Sequence, residues 1–200
     1  SPNGVGMTDL GTLGGRESVA RGINDVGQVV GWSETTAGNL HAIITGPNGV
    51  GMTDLGTLGG SGSIAYGIND TGQVVGEADT AADIQHAFIT GPNGVGMTDL
   101  GTLGGLYSSA SGINDAGQVV GEFNAAAFAL HAFITGPNGV GITDLNALLS
   151  VPGEVVLSSA TGINNHGQVA AIGTIPEPET YAMLLAGLGL LGFIARRKTA

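Results

Sequence analysis

The chain has no cysteine and very little positive charge. Three of its five basic residues are adjacent near the C-terminus, so only Arg16 and Arg21 balance the fourteen acidic residues that precede Glu177. Without cysteine there is neither a disulfide framework nor a thiolate metal site. So acidic a surface repels phosphate backbones, which excludes nucleic acid as a partner.

Aromatic residues are scarce as well, at 4%, whereas glycine accounts for 38 of the 200 residues. Glycine averages about 7% of residues in proteins. No Gly-X-Y period accompanies this excess, so a collagen-like chain is excluded. A hydrophobic content of 42% is too high for a disordered chain. Together these features favour a folded, β-rich protein with tight turns and closely packed sheets.

Internal repetition dominates the sequence, with a period of 45 residues that lengthens to 50 before the last copy of the second block. Such a period is typical of repeat architectures. Three blocks recur: GVGMTDLGTLGG from Gly4, Gly49 and Gly94 (decayed to GVGITDLNALLS from Gly139), GINDxGQVVG from Gly22, Gly67 and Gly112 (GINNHGQVAA from Gly162), and HA[IF]IT from His41, His86 and His131.

Each unit contains four short apolar or alternating runs, which predict four β-strands. The Asn-Asp-x-Gly segments predict tight hairpin turns in which glycine supplies a positive φ, and GPNGVG predicts a longer hairpin loop. Four strands in 45 residues is the size of one β-propeller blade. We therefore expect an all-β array of four-stranded units, forming an open arc of about four propeller blades, with a β-solenoid or a linear stack of small sheets as the alternative.

If the HAF strand is placed first, the chain divides into a partial unit 1–39 and three full units, 40–84, 85–129 and 130–173. The first unit then lacks its HAF strand and begins inside a hairpin loop. We therefore expect further units and a secretory signal to precede residue 1 in the natural protein. A linker at 174–180, a hydrophobic α-helix at 181–195 and a basic end at 196–200 follow the repeats.

The C-terminal tail differs in character from the repeats. Two prolines in Pro176-Glu177-Pro178 prevent a sheet from continuing. A helix over 181–195 would span about 22 Å, short of the roughly 30 Å hydrocarbon core, and flanking residues would cover part of the deficit. The basic cluster should stay cytoplasmic, with the repeats outside. The membrane-helix residues are Tyr181, Leu184, Leu185, Leu188, Leu190, Leu191 and Phe193, and the basic residues are Arg196, Arg197 and Lys198.

This order of a Pro-Glu-Pro motif, a short hydrophobic helix and a basic cluster resembles the PEP-CTERM sorting signal. The resemblance implies recognition by an exosortase, a membrane protease-transpeptidase of Gram-negative bacteria that make exopolysaccharide. It also implies removal of the tail near Pro176-Glu177-Pro178, after transient anchoring in the inner membrane, on the way to the cell surface or biofilm matrix. The tripeptides at His86–Phe88 and His131–Phe133 resemble the HAF family of extracellular repeats, which implies the same location without an established activity.

Two sets of recurring side chains are candidates for chemistry. Short polar residues in the Asn-Asp turns bond their own backbone, and the weaker alternative is a calcium loop that uses Asp25, Asp70 and Asp115. No other cofactor is indicated. A histidine begins each HAF strand, where we expect a repeated structural hydrogen bond. A zinc site would require three of these histidines to converge.

No motif in the sequence indicates an enzyme: there is no nucleophile elbow, phosphate loop or HExxH helix. The acidic residues recur once per unit, whereas a catalytic carboxylate pair is singular. We therefore expect a non-enzymatic structural or adhesive protein, with exopolysaccharide or matrix components as candidate partners. The alternative is a carbohydrate-binding or carbohydrate-cleaving propeller whose active centre lies in blades upstream of residue 1.

Overall fold

A computed structural model describes residues 6–125, 129–150 and 155–175, and within them the chain folds into antiparallel β-sheets numbered here in chain order. Sheet 1 contains β1 (Gly14–Ile23), β2 (Val29–Thr35), β3 (Leu40–Thr45) and β4 (Met52–Asp54). Sheet 2 contains β5 (Gly59–Ile68), β6 (Val74–Thr80), β7 (Gln85–Thr90) and β8 (Met97–Gly101). Sheet 3 contains β9 (Ser108–Ile113), β10 (Val119–Asn124), β11 (Leu130–Thr135) and β12 (Ile142–Asp144), and sheet 4 contains β13 (Val156–Ile163) and β14 (Val169–Thr174).

Strand order within every sheet follows chain order, so each sheet is a meander of hairpins. All pairs of named strands are antiparallel, and none of the sheets in the described part of the chain closes into a barrel. The predicted all-β class with four-stranded units is confirmed for sheets 1 to 3. Antiparallel meanders of four strands fit a propeller blade, and they also fit the predicted alternative of a linear stack of small sheets. A propeller arc stays a prediction.

The sheets group the strands in a different phase from the sequence-based units. Sheets 1, 2 and 3 each begin with the strand that starts at or just after the LGTLGG segment, and the HAF strand is their third strand. The hydrogen bonds between strands define this grouping: the Asn-Asp turn, the loop before the HAF strand and the Pro-Asn-Gly turn each join antiparallel neighbours. The LGTLGG segment instead carries the chain to the next sheet. Sheets 1, 2 and 3 therefore each combine strands from two of the units that begin at the HAF strand.

Both kinds of predicted hairpin are present. In the first Asn-Asp turn the Gly27 N–H donates to the Asn24 carbonyl oxygen at 3.0 Å, and Gly27 adopts a φ of 78°. The GPNGVG loop contains a single 3-10 turn, Pro47–Gly49, with Asn48 at a φ of 59°. Asparagine tolerates this left-handed conformation better than most residues, which explains why the same tripeptide closes the third hairpin of sheets 1, 2 and 3.

Apolar side chains from facing sheets fill the spaces between sheets and form three buried clusters. Between sheets 1 and 2, Val30 and Ile44 pack against Val74 and Phe88, and the other clusters repeat this pattern. Most of the buried side chains are small, which lets the sheets approach closely. The fold is therefore a series of sheets in which each sheet is stabilised mainly by its neighbours.

Near the end of its first strand, each sheet carries one extra residue opposite the second strand, and sheets 1, 2 and 4 have a further register shift nearer the start of that strand. The register shifts between Ala20 and Gly22 in sheet 1, and at the equivalent position in the other sheets. Such a bulge redirects the extra side chain. The extra residues are Arg21, Tyr66, Ser111 and Thr161.

No helix among the described residues is long and apolar enough to span a membrane. The predicted membrane helix at 181–195, with the residues from Tyr181 to Phe193 named above, lies outside the described residues. The same holds for Pro176-Glu177-Pro178 and for the basic cluster Arg196, Arg197 and Lys198.

Candidate functional site

The Asn-Asp turns of successive sheets are hydrogen-bonded into a continuous row, called here the turn ladder, made of Asn24-Asp25, Asn69-Asp70, Asn114-Asp115 and Asn164-Asn165. Each asparagine Nδ2 donates to the backbone carbonyl of the equivalent residue in the next sheet, at 3.0–3.1 Å. Each aspartate backbone N–H donates to the Oδ1 atom of the next turn, at 2.9–3.1 Å. This recurring segment therefore joins one sheet to the next.

Glutamine side chains extend the turn ladder to the Pro-Asn-Gly turns. Gln28 Nε2 donates to Asn93 Oδ1 at 3.2 Å, and Gln73 Nε2 donates to Asn138 Oδ1 at 3.3 Å. Within each turn, the glutamine backbone N–H also donates to the asparagine Oδ1 atom, at 2.9 Å for Gln28. Because Gln28 and Gln73 are buried, these bonds satisfy polar groups that would otherwise be costly to bury.

The calcium candidates Asp25, Asp70 and Asp115 all lie in this ladder. Oδ1 atoms of Asp70 and Asp115 accept the backbone N–H groups of the preceding turns, so these carboxylates have a structural role. Across the described part of the chain, no group of three or more His, Asp or Glu side chains is arranged to hold a metal ion. The geometry thus favours the structural interpretation of the turns over the calcium loop.

The histidines that begin the HAF strands each bind an aspartate on the neighbouring strand. The Nδ1 atoms of His41, His86 and His131 lie 2.8, 2.8 and 2.7 Å from carboxylate oxygens of Asp54, Asp99 and Asp144. The predicted structural hydrogen bond is therefore present. Sequence reasoning missed the partner, although the constant spacing of 13 residues in all three copies would have indicated it.

The aspartate of each pair also fixes the start of the LGTLGG connection. Asp54 Oδ1 accepts the Gly56 N–H at 2.8 Å, and Asp144 Oδ1 accepts the Asn146 N–H at 2.8 Å. Burial raises the pKa of Asp144, but hydrogen bonds from His131 and Asn146 outweigh it and leave that pKa lowered. The His–Asp pairs therefore join the third strand, the fourth strand and the exit from each sheet.

The copies differ mainly at the opposite end of each sheet from the turn ladder. This divergent end comprises the first half of the first strand, the second half of the second strand and the loop that leads to the HAF strand. Side chains at these positions include most of the aromatic and charged residues that do not recur. The ranges are 16–21 and 32–40 in sheet 1, 61–66 and 77–85 in sheet 2, and 106–111, 122–125 and 129–130 in sheet 3.

Five side chains of the divergent end form a row across sheets 1, 2 and 3. The Arg21 guanidinium lies 5.6 Å from the centre of the Tyr66 ring. The Tyr66 hydroxyl donates to Glu77 Oε1 at 2.9 Å, and the Tyr107 hydroxyl donates to Glu122 Oε1 at 3.4 Å. Burial and the nearby Glu77 carboxylate raise the pKa of Tyr107 to about 12. Nothing in the sequence alone indicated these contacts, because the partners come from different strands.

A cavity of about 300 Å³ lies beside this row, between the loop Gly38–Leu40 of sheet 1 and the divergent end of sheet 2. Glu77, which is 9% exposed, contributes to its wall. The other side chains that bear polar groups belong to Asn39, Ser61, Ser63, Asp79 and Gln85, and the apolar ones to Leu40, Ile64 and Ala78. The cavity therefore offers two carboxylates, two amides and the Ser61 hydroxyl around a partly apolar wall. The Ser63 hydroxyl is already bonded, since it donates to the Gly56 carbonyl and accepts the Ala42 N–H.

Comparison with known proteins bears on the tail. A family model described as the PEP-CTERM protein-sorting motif matches residues 174–198. The match covers the predicted Pro-Glu-Pro motif, the hydrophobic segment and the basic cluster, so the predicted motif is confirmed. This motif is recognised by an exosortase and indicates an exported, membrane-transiting protein of a Gram-negative bacterium. No curated protein matches the chain.

Proposed function

We propose that the chain is a repeat protein of the cell surface or biofilm matrix that acts by display and contact rather than by catalysis. In this proposal an exosortase cleaves the tail near Pro176-Glu177-Pro178 while the helix at 181–195 holds the chain in the inner membrane. The HAF-type repeats, arranged as blades of an open propeller arc, then remain outside the cell. The observation that carries the proposal is the sorting-motif match over residues 174–198.

The position of the motif relative to the fold supports processing. Strand β14 ends at Thr174, which is also the first matched residue. Cleavage after Ile175 would therefore leave all the described strands in the mature protein. The matched segment overlaps the paired strand at Thr174 alone, so an enzyme could act on the Pro-Glu-Pro motif without opening the sheet.

The structural role of the recurring residues supports the absence of catalysis. The recurring turn asparagines, aspartates and histidines all bond to neighbouring turns or strands. Side chains that bond in the same way in several sheets stabilise the array. A catalytic site would instead need a singular arrangement of groups around a substrate.

The sorting proposal is tested by reading the C-terminus of the mature protein. We expect the chain, expressed in a Gram-negative host with an exosortase, to reach the surface without residues 179–200. Replacing Pro176, Glu177 and Pro178 with alanine should leave the intact end Lys198-Thr199-Ala200 on protein that stays with the membrane, as mass spectrometry would show. The control, Glu179→Ala, removes a neighbouring charge outside the tripeptide and should be processed normally. Surface protein that keeps its intact tail contradicts the proposal.

A second candidate function, carbohydrate binding, is favoured by the cavity between sheets 1 and 2.

A further inference from the structure

We infer that the cavity between sheets 1 and 2 is a binding site for one neutral or amino sugar unit. This inference rests on the proposed contact role of the repeats and names the class of ligand that they contact. At about 300 Å³ the cavity lies at the lower end of the roughly 300–1,000 Å³ range of small-ligand sites. It therefore suits a single sugar ring or the end of a chain.

A glycine opens the cavity where the neighbouring sheets carry side chains. Gly62 lies in the wall, and its counterparts 45 residues before and after it are Glu17 and Tyr107. A Cβ atom at Gly62 would lie 3.0 Å from Asp79 Oδ2. Because two other copies hold side chains at this position, the fold does not require glycine there. The glycine instead leaves space in sheet 2.

The hydrogen-bonding groups in the wall match sugar hydroxyls. Asp79 Oδ2 accepts the Ser61 hydroxyl at 3.3 Å and Glu77 Oε1 accepts the Tyr66 hydroxyl at 2.9 Å. The other carboxylate oxygens, Asp79 Oδ1 and Glu77 Oε2, accept no hydrogen bond from the described residues. A carboxylate oxygen accepts from hydroxyl groups, and the amides of Asn39 and Gln85 can donate as well as accept.

The charge of the wall selects among ligand classes. Two carboxylates face no Lys or Arg among the described residues that line the cavity. Phosphates, sulfates and uronic acids would meet like charge there, which destabilises their binding. An ammonium group on a sugar would be attracted, and a neutral sugar would be accepted. A metal ion is not favoured, since no set of three ligating side chains occurs in the described part.

Divergence of the repeats supports the site independently of the cavity. The ladder turns and the HAF strands are almost unchanged from copy to copy, whereas Gly62, Asp79 and Gln85 each differ in residue type from their counterparts in sheets 1 and 3. Glu77 is the exception in the wall, because sheet 3 has Glu122 at the same position. Positions that only hold the sheets together stay the same in each copy. A binding site is needed once, so its residues differ from their counterparts.

The test is direct binding to the purified chain, measured by isothermal titration and saturation-transfer NMR. The probes are glucose, N-acetylglucosamine, glucosamine and glucuronate. We expect at least one of the first three to bind at millimolar concentration and glucuronate not to bind. Gly62→Tyr, which places the residue of sheet 3 in sheet 2, should abolish binding and leave the thermal unfolding transition intact. Asp79→Asn, which also copies sheet 3, should weaken binding about five- to tenfold because it replaces a charged acceptor.

Asp83→Asn is the matched control. Asp83 is exposed, lies in the loop that follows β6 and does not line the cavity, so its substitution removes the same charge without touching the site. Binding that survives Gly62→Tyr, or that falls equally in Asp79→Asn and Asp83→Asn, would overturn the inference. So would glucuronate binding as tightly as the neutral sugars, or no binding by any of the first three probes. Because the assay uses purified protein, its failure is distinct from a failure of sorting, which is read from the C-terminus.

Discussion

Replacing Asn69 with alanine should destabilise the protein more than the same change at any exposed ladder position. Asn69 is 4% exposed, and its side chain bonds both within its own turn and to the next sheet. Nδ2 donates to Gln73 Oε1 at 2.9 Å and to the Asn114 carbonyl at 3.0 Å. Oδ1 accepts the Gln73 N–H at 2.9 Å and the Thr71 hydroxyl at 2.8 Å.

The expected loss follows from what alanine leaves behind. The Gln73 N–H stays buried and loses its acceptor, which costs about 1–3 kcal/mol. The inter-sheet bond to Asn114 contributes a further 0.5–1.5 kcal/mol or so. We therefore expect the free energy of unfolding to fall by about 3 kcal/mol. The Asn114 carbonyl adds little to this loss, because it also accepts the Gly117 N–H at 2.9 Å.

Asn164 provides the matched control. It occupies the same turn position in sheet 4 and bonds to Gln168 and His166, but it is exposed. No further sheet follows it among the described residues. Water can replace its hydrogen bonds, so Asn164→Ala should cost less than about 1 kcal/mol.

Urea denaturation followed by far-UV circular dichroism would compare the two variants at neutral pH. Trp32 is the only tryptophan, so its fluorescence would report separately on sheet 1. Equal losses for Asn69→Ala and Asn164→Ala would refute the reasoning, because the ladder would then contribute nothing beyond the turns themselves. A loss below about 1 kcal/mol at Asn69 would refute it as well.

Three further predictions concern individual groups. Burial and Glu77 raise the pKa of Tyr107 from 10.0 to about 12, so its contribution to stability is complete below pH 10 and is lost as the pH rises towards 12. In Glu77→Gln, tyrosinate absorbance should therefore appear at lower pH. The pKa of Asp144 is lowered in the folded protein, so its ionised carboxylate stabilises the fold at pH values above the ordinary pKa of aspartate. That stabilisation is lost as the pH falls through the lowered pKa. Asp144→Asn should therefore make Tm depend less steeply on pH in the acid range. Gly72→Ala and Gly56→Ala both place alanine at a φ near 77°, but only at Gly72 would the Cβ meet backbone, at 2.8 Å. We expect Gly56→Ala to cost about 1 kcal/mol and Gly72→Ala clearly more, and equal costs in thermal denaturation would contradict this.

Local features of the fold could be predicted from the sequence because their causes are local. The alternation in the HAF strand and the Asn-Asp-x-Gly turns identify strands and hairpins without knowledge of the partners. The grouping of strands into sheets could not be predicted in the same way. In a periodic chain every starting point gives the same repeat, and only the hydrogen bonds show that the LGTLGG segment crosses between sheets while Pro47–Gly49 closes a hairpin.

The contacts of the candidate site depend on partners that are distant in sequence. The pair His86–Asp99 could have been predicted from the sequence, since the same spacing recurs in every complete copy. The contacts of Tyr66 with Glu77 and Arg21 do not recur, so no periodicity reveals them. A bulge places Tyr66 where it lies, and a bulge is a feature of strand pairing that the residue pattern did not indicate.

Positions that stay the same in every copy of the repeat and positions that change have different physical causes. Whether a position recurs therefore indicates a functional role better than its residue type does. Asn69 and its counterparts must each bond to the sheet before and after, so a change in one copy would need matching changes in its neighbours. Gly62 and Asp79 are under no such constraint. In sheet 3 the counterpart of Gly62 is the much larger Tyr107, and the counterpart of Asp79 is the uncharged Asn124. An aspartate in the turn ladder, such as Asp70, and an aspartate in the cavity, such as Asp79, thus have the same side chain. Only the ladder aspartate is held constant by bonds to neighbouring sheets. In an array of this kind, the residues that recur hold the sheets together, and those that do not recur are the ones through which the protein can recognise a ligand.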